Sequence, residues 1–245
     1  MIKLEHIIKD FGSKRVLKDI SLSVKKGETL AIIGGSGSGK STLLRIMIGL
    51  IPTTSGKVII NGTDITKLTE EQLTKIRLNM GMVFQYSALF DSMTVGDNVA
   101  FGLVEHSNKS RSEIERIVKE KLELVGLPNT EKMMPGELSG GMKKRVSLAR
   151  AIAFSPEIIF YDEPSSGLDP IMTAKIDELI LDMQHKLGVT SIVVTHDMIS
   201  ARNIADKIAM VYAGELIAID TPENFVKLAD ERVQAFMRYN KEGSR

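Results

Sequence analysis

Residues 34–41, GGSGSGKS, place one lysine and one serine directly after a run of glycine and serine. They match the spacing G-x-x-x-x-G-K-[ST] and lie between an apolar run at 29–34 and a stretch of helical periodicity at 42–50. Glycines at 34 and 39 allow a turn whose backbone N–H groups converge on an anion, and the following helix adds its positive end. A flexible linker is the alternative interpretation, but linkers are not held between a buried strand and an apolar helix.

This loop predicts a site for the phosphates of a nucleoside triphosphate. Lys40 is expected to reach the β- and γ-phosphates, and the Ser41 hydroxyl is suited to ligate Mg²⁺. The expected phosphate-binding residues are Gly34, Gly35, Ser36, Gly37, Ser38, Gly39, Lys40, Ser41 and Thr42.

A second group of candidate residues follows the apolar run IIFY at 158–161. Such a run predicts a buried strand that delivers Asp162 to its carboxyl end, where open α/β sheets bind ligands. We expect Asp162 to hold Mg²⁺ through water and Glu163 to take a proton from an attacking water. Alone, the two residues would indicate an ordinary acidic strand end, but beside a phosphate loop they predict hydrolysis.

The stretch ELSGGMKKR at 137–145 predicts a second anion-binding helix start. Gly140 and Gly141 would each cost roughly 0.8–1 kcal/mol relative to alanine inside a helix, which suggests that something approaches the backbone closely. The Ser139 hydroxyl and nearby N–H groups could hold a γ-phosphate. Two cradles for one triphosphate suggest a sandwich of two subunits, whereas a serine-capped glycine turn without a ligand is the alternative.

Composition limits the class of protein. The net charge is 32 − 31 = +1, which disfavours a dedicated nucleic-acid-binding protein, and the absence of cysteine excludes disulfides and cysteine metal sites. Hydrophobic residues make up 43% and charged residues 26%, proportions typical of a globular chain. No apolar run approaches the length of about 18 residues that a membrane span needs, so a membrane role is expected to come through partners.

The elements that must position these residues alternate between strand and helix. Residues 1–86 and 156–220 predict an α/β core with an antiparallel β part, and residues 87–155 predict an inserted helical unit. Residues 221–245 predict a C-terminal helix and tail.

Two local patterns predict helix boundaries. Ser110-x-x-Glu113 predicts a capped helix that ends at Gly126. Thr221 and Pro222 predict the start of the C-terminal helix, which is expected to continue to about residue 240 before the tail frays.

LSGGM at 138–142 resembles the signature sequence of ATP-binding-cassette (ABC) ATPases. Other segments resemble further motifs of that family and occur in the family's order. Phe11 lies where an aromatic ring stacks on adenine, and Gln85 resembles the glutamine that contacts Mg²⁺ and the attacking water. His196 resembles the histidine that senses the γ-phosphate, and SGLD at 166–169 resembles the D-loop.

The resemblance covers about residues 2–220 and implies a fold, an activity and cofactors. The implied fold is α/β, a P-loop NTPase (RecA-like) core with an antiparallel β subdomain and an inserted α-helical subdomain. The implied activity is ATP hydrolysis, with ATP and Mg²⁺ as cofactors. The residues implied to act are Glu163, His196 and Gln85 in catalysis, Ser41, Gln85 and Asp162 at the metal, and Phe11, the phosphate loop and Ser139, Gly140 and Gly141 at the nucleotide.

Two longer stretches, ELSGGMKKR and FQYSALFDSMTVGDNVAF at 84–101, most resemble the cassettes of Mla-type systems, which transport lipids with MCE-domain proteins. This resemblance implies a homodimer bound to integral-membrane permease subunits on the cytoplasmic face of the inner membrane. MCE-domain and small accessory subunits are further expected partners, and nucleic acid is not. Two departures from the wider family, Phe11 for the commoner tyrosine and Met142 for the commoner glutamine, remove no catalytic group.

Several alternatives remain open at this point. The same ATPase chemistry would serve an importer of amino acids or similar small solutes. A cassette acting in DNA repair, chromosome structure or translation is disfavoured, since the chain has no heptads, no cysteines and only one cassette. A nucleotide binder without turnover is disfavoured by intact Lys40, Asp162, Glu163 and His196. The apolar residues within 86–101 are expected either to contact a permease helix or to pack the helical unit.

Overall fold

The computed structural model describes residues 1–242, within which ten strands and nine α-helices follow one another. The strands are β1 (Ile2–Phe11), β2 (Lys14–Val24), β3 (Thr29–Ile33), β4 (Ser55–Ile60), β5 (Thr63–Asp64), β6 (Met80–Val83), β7 (Ile158–Asp162), β8 (Thr190–Val194), β9 (Lys207–Tyr212) and β10 (Glu215–Asp220). The helices are α1 (Lys40–Met47), α2 (Glu70–Arg77), α3 (Val95–His106), α4 (Arg111–Leu124), α5 (Gly140–Ala151), α6 (Pro170–Leu187), α7 (Met198–Ile204), α8 (Pro222–Phe225) and α9 (Glu231–Glu242). Residues 243–245, part of the tail predicted to fray, lie outside the described residues.

A six-stranded sheet with the order β10-β9-β3-β8-β7-β6 forms the centre of the α/β part. Strands β9, β3, β8, β7 and β6 are parallel to one another, and β10 pairs with β9 in the antiparallel direction. Every residue of β3, β7 and β8 is buried, which explains why these strands are nearly continuous apolar runs rather than alternating ones. Because parallel strands share one carboxyl edge, the segments after β3, β6, β7 and β8 meet at that edge.

A second sheet is antiparallel and has the order β2-β1-β4-β5. Its buried isoleucines and leucines pack with α1 and with β7 and β8 in one hydrophobic core. The turn between β9 and β10 joins the two sheets, because the Gly214 N–H donates to the Ser38 carbonyl at 3.1 Å and the Lys18 N–H donates to the Gly214 carbonyl at 2.8 Å.

Helices α3, α4 and α5 pack around a separate hydrophobic core. The capping box predicted from Ser110 and Glu113 is confirmed at the start of α4. The sequence pattern did not indicate α3, because its capping pair of Thr94 and Asp97 uses aspartate where the usual pattern has glutamate or glutamine.

The prediction of one C-terminal helix over 221–240 is wrong, because the segment forms two helices, α8 and α9, separated by residues 226–230. Asp230 accepts hydrogen bonds from the backbone N–H groups of Arg232 and Val233 and so starts a new helix. The Gln234 amide donates to the Leu228 carbonyl at 2.8 Å and satisfies a group that a continuous helix would have paired. Among residues 1–242, no helix is both long and apolar enough to cross a lipid bilayer.

A buried carboxyl group connects two helices that follow the candidate site. Asp177 on α6 accepts a hydrogen bond from the Ser200 hydroxyl on α7. Burial raises the pKa of Asp177 to about 6, the Ser200 hydrogen bond opposes the shift, and the Asp197 carboxylate adds to it. The folded chain therefore holds this proton more tightly than the unfolded chain, and the free energy of unfolding falls as pH rises through the interval up to about 6.

We predict that Asp177→Asn stabilises the protein by roughly 1–3 kcal/mol near neutral pH, because the amide keeps an acceptor for Ser200 without a buried charge. The gain should shrink as the pH is lowered below the raised pKa. Denaturant unfolding at several pH values measures it. Asp182→Asn is the matched control on the same helix, since Asp182 is exposed and paired with Lys186. Parallel pH profiles for wild type and Asp177→Asn would contradict the prediction.

Candidate active site

The loop between β3 and α1 has the shape that the phosphate-binding prediction requires. Gly34 has a φ of +151°, and a Cβ there would lie 2.1 Å from the Val211 carbonyl oxygen. Gly39 has a φ of +107° and caps α1, so its N–H and the first N–H groups of the helix lie at the same turn. The loop therefore presents the positive end of α1 together with bare backbone.

The Lys40 ammonium lies over this loop. It is buried and donates hydrogen bonds to the Gly34 carbonyl at 2.7 Å and to the Gly35 carbonyl at 3.0 Å. Burial lowers the pKa of Lys40, and the carboxylates of Glu163 and Asp162 oppose that shift. A phosphate entering the loop would meet a cation that is already held in place.

Two oxygen donors suited to Mg²⁺ lie side by side at the edge of the sheet. The Ser41 hydroxyl donates to Asp162 Oδ1 at 2.9 Å, and Asp162 is buried at the end of β7. Hydroxyl, carboxylate and amide oxygens are hard ligands of the kind that Mg²⁺ prefers. Gln85, the third residue implied at the metal, lines the same cleft and places its amide nitrogen 3.5 Å from the Ser166 hydroxyl. The donor set thus fits the ion that the sequence implies.

Glu163 and His196 form a pair above the phosphate loop. Oε2 of Glu163 lies 2.8 Å from Nδ1 of His196, and the glutamate is mostly buried whereas the histidine is mostly exposed. Glu163 has a φ of +50°, in the left-handed region, and its N–H donates to the Val194 carbonyl at 2.9 Å. A non-glycine residue held there costs on the order of 1 kcal/mol or more, a cost that is common at functional sites. The carboxylate is therefore fixed by both its backbone and its partner.

The structure brings most of the predicted residues together in one cavity of about 990 Å³. One wall consists of the phosphate loop, Gln85, Glu163 and His196. The cavity is also lined by Tyr212 and by α9, including Arg232 and Tyr239. Sequence reasoning did not place α9 here, because an amphipathic pattern shows which face is buried but not against what.

Two of the predicted nucleotide contacts lie apart from this cavity. Ser139 and Gly140 are exposed at the start of α5, where the Ser139 hydroxyl accepts from the Met142 N–H at 3.3 Å. Neither this segment nor Phe11 lines the cavities beside the phosphate loop. Phe11 is half exposed, and the Lys9 ammonium lies 4.8 Å from its ring centroid. The roles of Phe11 and of Ser139, Gly140 and Gly141 stay predictions.

Comparison with known proteins decides the family. A family model described as ABC transporter matches residues 17–166, more than half of the chain. The chain belongs to the ABC transporter family. It is therefore an ABC-type ATPase. The predicted ABC family, fold class and ATPase activity are confirmed, whereas the likeness to Mla-type cassettes stays a prediction.

Similar proteins differ in the cargo that their names give. The ribonucleotide transport ATP-binding protein mkl of Mycobacterium leprae is 44% identical over 232 residues, which cover 95% of this ABC ATPase and 67% of mkl. The methionine import ATP-binding protein MetN 1 of Yersinia pestis is 44% identical over 225 residues, 90% of this chain and 65% of MetN 1. The chain thus spans about two thirds of the length of these curated relatives.

Among solved structures, a dimeric post-hydrolysis state of the ATP-binding cassette MJ0796 with ADP and Pi is similar. The TM-score is 0.83 at 35% sequence identity, over 91% of this chain and 99% of that one.

We predict that Glu163→Gln slows ATP hydrolysis roughly 10²–10⁴-fold while ATP binding is retained, because the amide cannot accept the proton of the attacking water. Steady-state phosphate release and equilibrium nucleotide binding measure the two effects. Glu157→Gln is the matched control, since Glu157 is exposed and immediately precedes the amino end of β7, the strand that Glu163 follows. Near-normal turnover in Glu163→Gln would contradict the assignment of the base.

Proposed function

We propose that this ABC ATPase drives phospholipid transport through a partner permease, as a homodimer on the cytoplasmic face of the inner membrane. The proposed machinery is divided along the chain into an ATP-binding core (1–86 and 156–220), a helical signature unit (87–155) and a C-terminal segment (221–245). The observation that supports the ATPase chemistry is the meeting of Lys40, the Ser41–Asp162 pair and the Glu163–His196 pair at one sheet edge.

Within the site, each group has a proposed role. The phosphate loop and Lys40 bind the phosphates of ATP, and Phe11 stacks on the base. Mg²⁺, held by Ser41, Gln85 and Asp162, would neutralise phosphate charge when bound. Glu163 takes the proton from the attacking water, and His196 holds the carboxylate and orients the γ-phosphate. Positioning and electrostatics therefore supply most of the catalysis.

The proposed homodimer follows from where Ser139, Gly140 and Gly141 lie. Ser139 and Gly140 are exposed, Gly141 is buried, and none of the three lines the cavities beside the phosphate loop, so the exposed cap is available to the loop of a second copy. The similar MJ0796 structure is a dimer. A head-to-tail pair would give each ATP one complete phosphate loop and one helix N-terminus from the partner.

We predict that Lys40→Ala and Ser139→Arg subunits complement each other when mixed. Each homodimer would carry two damaged sites, whereas the mixed dimer would combine an intact phosphate loop with an intact Ser139 segment in one of its two sites. ATPase activity of a mixed dimer purified through two different tags measures the recovery. No recovery in a verified mixed dimer would contradict the shared site, and the two tagged homodimers are the controls.

The permease is proposed to contact residues 86–101. Val95 is buried and Leu89 packs against the helical core, so part of the segment serves packing. Tyr86 is 87% exposed, and Phe90 and Phe101 are both partly exposed with ring centroids 4.9 Å apart. These aromatic side chains offer an apolar surface directly after Gln85, where a contact could be transmitted to the site.

Lipid cargo is proposed from ELSGGMKKR and the 84–101 segment, which resemble Mla-type cassettes. MCE-domain and small accessory subunits are proposed partners on the same ground. The alternative is an ATPase of a small-solute importer, which the name of the MetN relative favours. A non-transport ABC ATPase is the remaining candidate, and the balanced charge of the chain disfavours nucleic acid as its partner.

We predict that a tagged Glu163→Gln subunit, extracted from native membranes with ATP, co-purifies with a permease, an MCE-domain protein and phospholipid. The variant is used because slowed hydrolysis should keep the ATP-bound complex closed. Mass spectrometry of proteins and lipids gives the readout, and untagged cells give the background. A permease with a solute-binding protein would support the importer, and DNA-repair proteins or ribosomes without a membrane partner would contradict transport.

A further inference from the structure

We propose that Lys144 is a positioning residue that holds Gln85 and Glu163 in register and connects them to the start of α5. The inference rests on the proposed function, because it takes Gln85 and Glu163 as the groups that handle the attacking water. Lys144 lies two residues after LSGGM, within the stretch ELSGGMKKR, and sequence analysis gave it no role.

Lys144 is placed unusually for a lysine. Its side chain points inward from α5, and the residue is only 6% exposed. The ammonium donates one hydrogen bond to the Gln85 carbonyl and another, at 3.4 Å, to the Glu163 carbonyl. Its partners are thus backbone oxygens at the carboxyl ends of β6 and β7, two adjacent parallel strands.

Burying this ammonium is unfavourable, so the contacts must offset a cost. Burial lowers the pKa of Lys144, while the carboxylates of Glu163 and Asp162 oppose the shift. A long apolar residue would fill the same space without that cost. Unlike such a residue, the ammonium donates two directional hydrogen bonds to carbonyls just beyond the ends of the strands. Hydrogen bonds from a charged donor are among the strongest in proteins.

The hydrogen bond from Lys144 to the Glu163 carbonyl bears directly on the backbone conformation of the proposed base. Glu163 is kept at a φ of +50°, and its carbonyl direction follows from that backbone conformation. Lys144 stabilises this conformation directly and ties it to the carbonyl of Gln85. One side chain thereby bridges the backbone of the two proposed water-handling residues, beyond the last paired residues of β6 and β7.

The loop after Gln85 is held by the same helix. Arg150 on α5 donates to the Ser87 carbonyl at 2.7 Å and to the Ala88 carbonyl at 2.6 Å, and both residues have positive φ. Helix α5 and residues 85–88 are therefore expected to move together. Helix α5 begins at the Ser139 cap, which is proposed to contact the γ-phosphate of ATP bound to the partner subunit. A shift of α5 on that contact would be transmitted through Lys144 to Gln85 and Glu163 of this chain.

The test compares Lys144→Met with Lys144→Gln in the full chain. Methionine and glutamine are both one atom shorter than lysine and have the same reach. Methionine removes the donor, whereas glutamine keeps an uncharged one. Lys144→Met is expected to lower kcat roughly 10- to 100-fold, because a hydrogen bond from a charged group is lost on each strand end. The KM for ATP should change little, since Lys144 does not line the cavity that contains the phosphate loop. The Hill coefficient for ATP should fall towards one.

Lys121→Met is the matched control, because Lys121 is also 6% exposed, lies in the same helical unit and pairs with Glu120 at 2.9 Å. It should leave kcat unchanged, because Lys121 contacts neither Gln85 nor Glu163. Lys144→Gln should recover part of the lost kcat and of the Hill coefficient, and it serves as the folded variant should methionine unfold the chain. Denaturant midpoints are measured for all variants.

An unchanged kcat in Lys144→Met, an equal loss in Lys121→Met, or a loss confined to KM would overturn the proposal. The proposed function is tested separately, with wild type and the Glu163→Gln variant, in both of which Lys144 is intact. The two failures are therefore distinguishable.

Discussion

The parallel pairing of β3, β8, β7 and β6 is the constraint on which the rest of the structure depends. Parallel strands require crossover connections, so segments far apart in the chain end at one edge. Lys40, Gln85, Glu163 and His196 meet because of that rule and not because of any local attraction between them. Three of these strands are buried throughout, which makes the backbone that carries the reacting groups rigid.

The helical unit is attached to this rigid edge by cations as well as by apolar packing. Lys144 and Arg150 reach from α5 to carbonyls of the segments after β6 and β7. Irregular loops leave such carbonyls without ladder partners, so a donor from a neighbouring helix satisfies them. Hydrogen bonds depend on direction, so a rotation of α5 would shift the segments after β6 and β7 that it contacts.

Sequence reasoning predicted the elements whose determinants are local. The strand-loop-helix around Lys40, the cap at Ser110 and the strand ending at Asp162 each depend on residues within a few positions of one another. What it missed depends on distant pairing. Lys144 and Gln85 are far apart in the chain, and α9 lines the cavity beside the phosphate loop although nothing in its own sequence indicates that position. The break before α9 was missed because the apolar pattern continues across it, while Asp230 and Gln234 favour a new start.

The turn at Gly214 has a consequence beyond its two hydrogen bonds. It receives the Lys18 N–H from the antiparallel sheet and gives its own N–H to Ser38 of the phosphate loop. Moving the β9–β10 turn would therefore remove a hydrogen bond from the loop, and opening the antiparallel sheet at Lys18 would remove one from the turn. The two sheets and the loop are thus linked through one turn, so ATP that tightens the loop is expected to protect amide protons in both sheets.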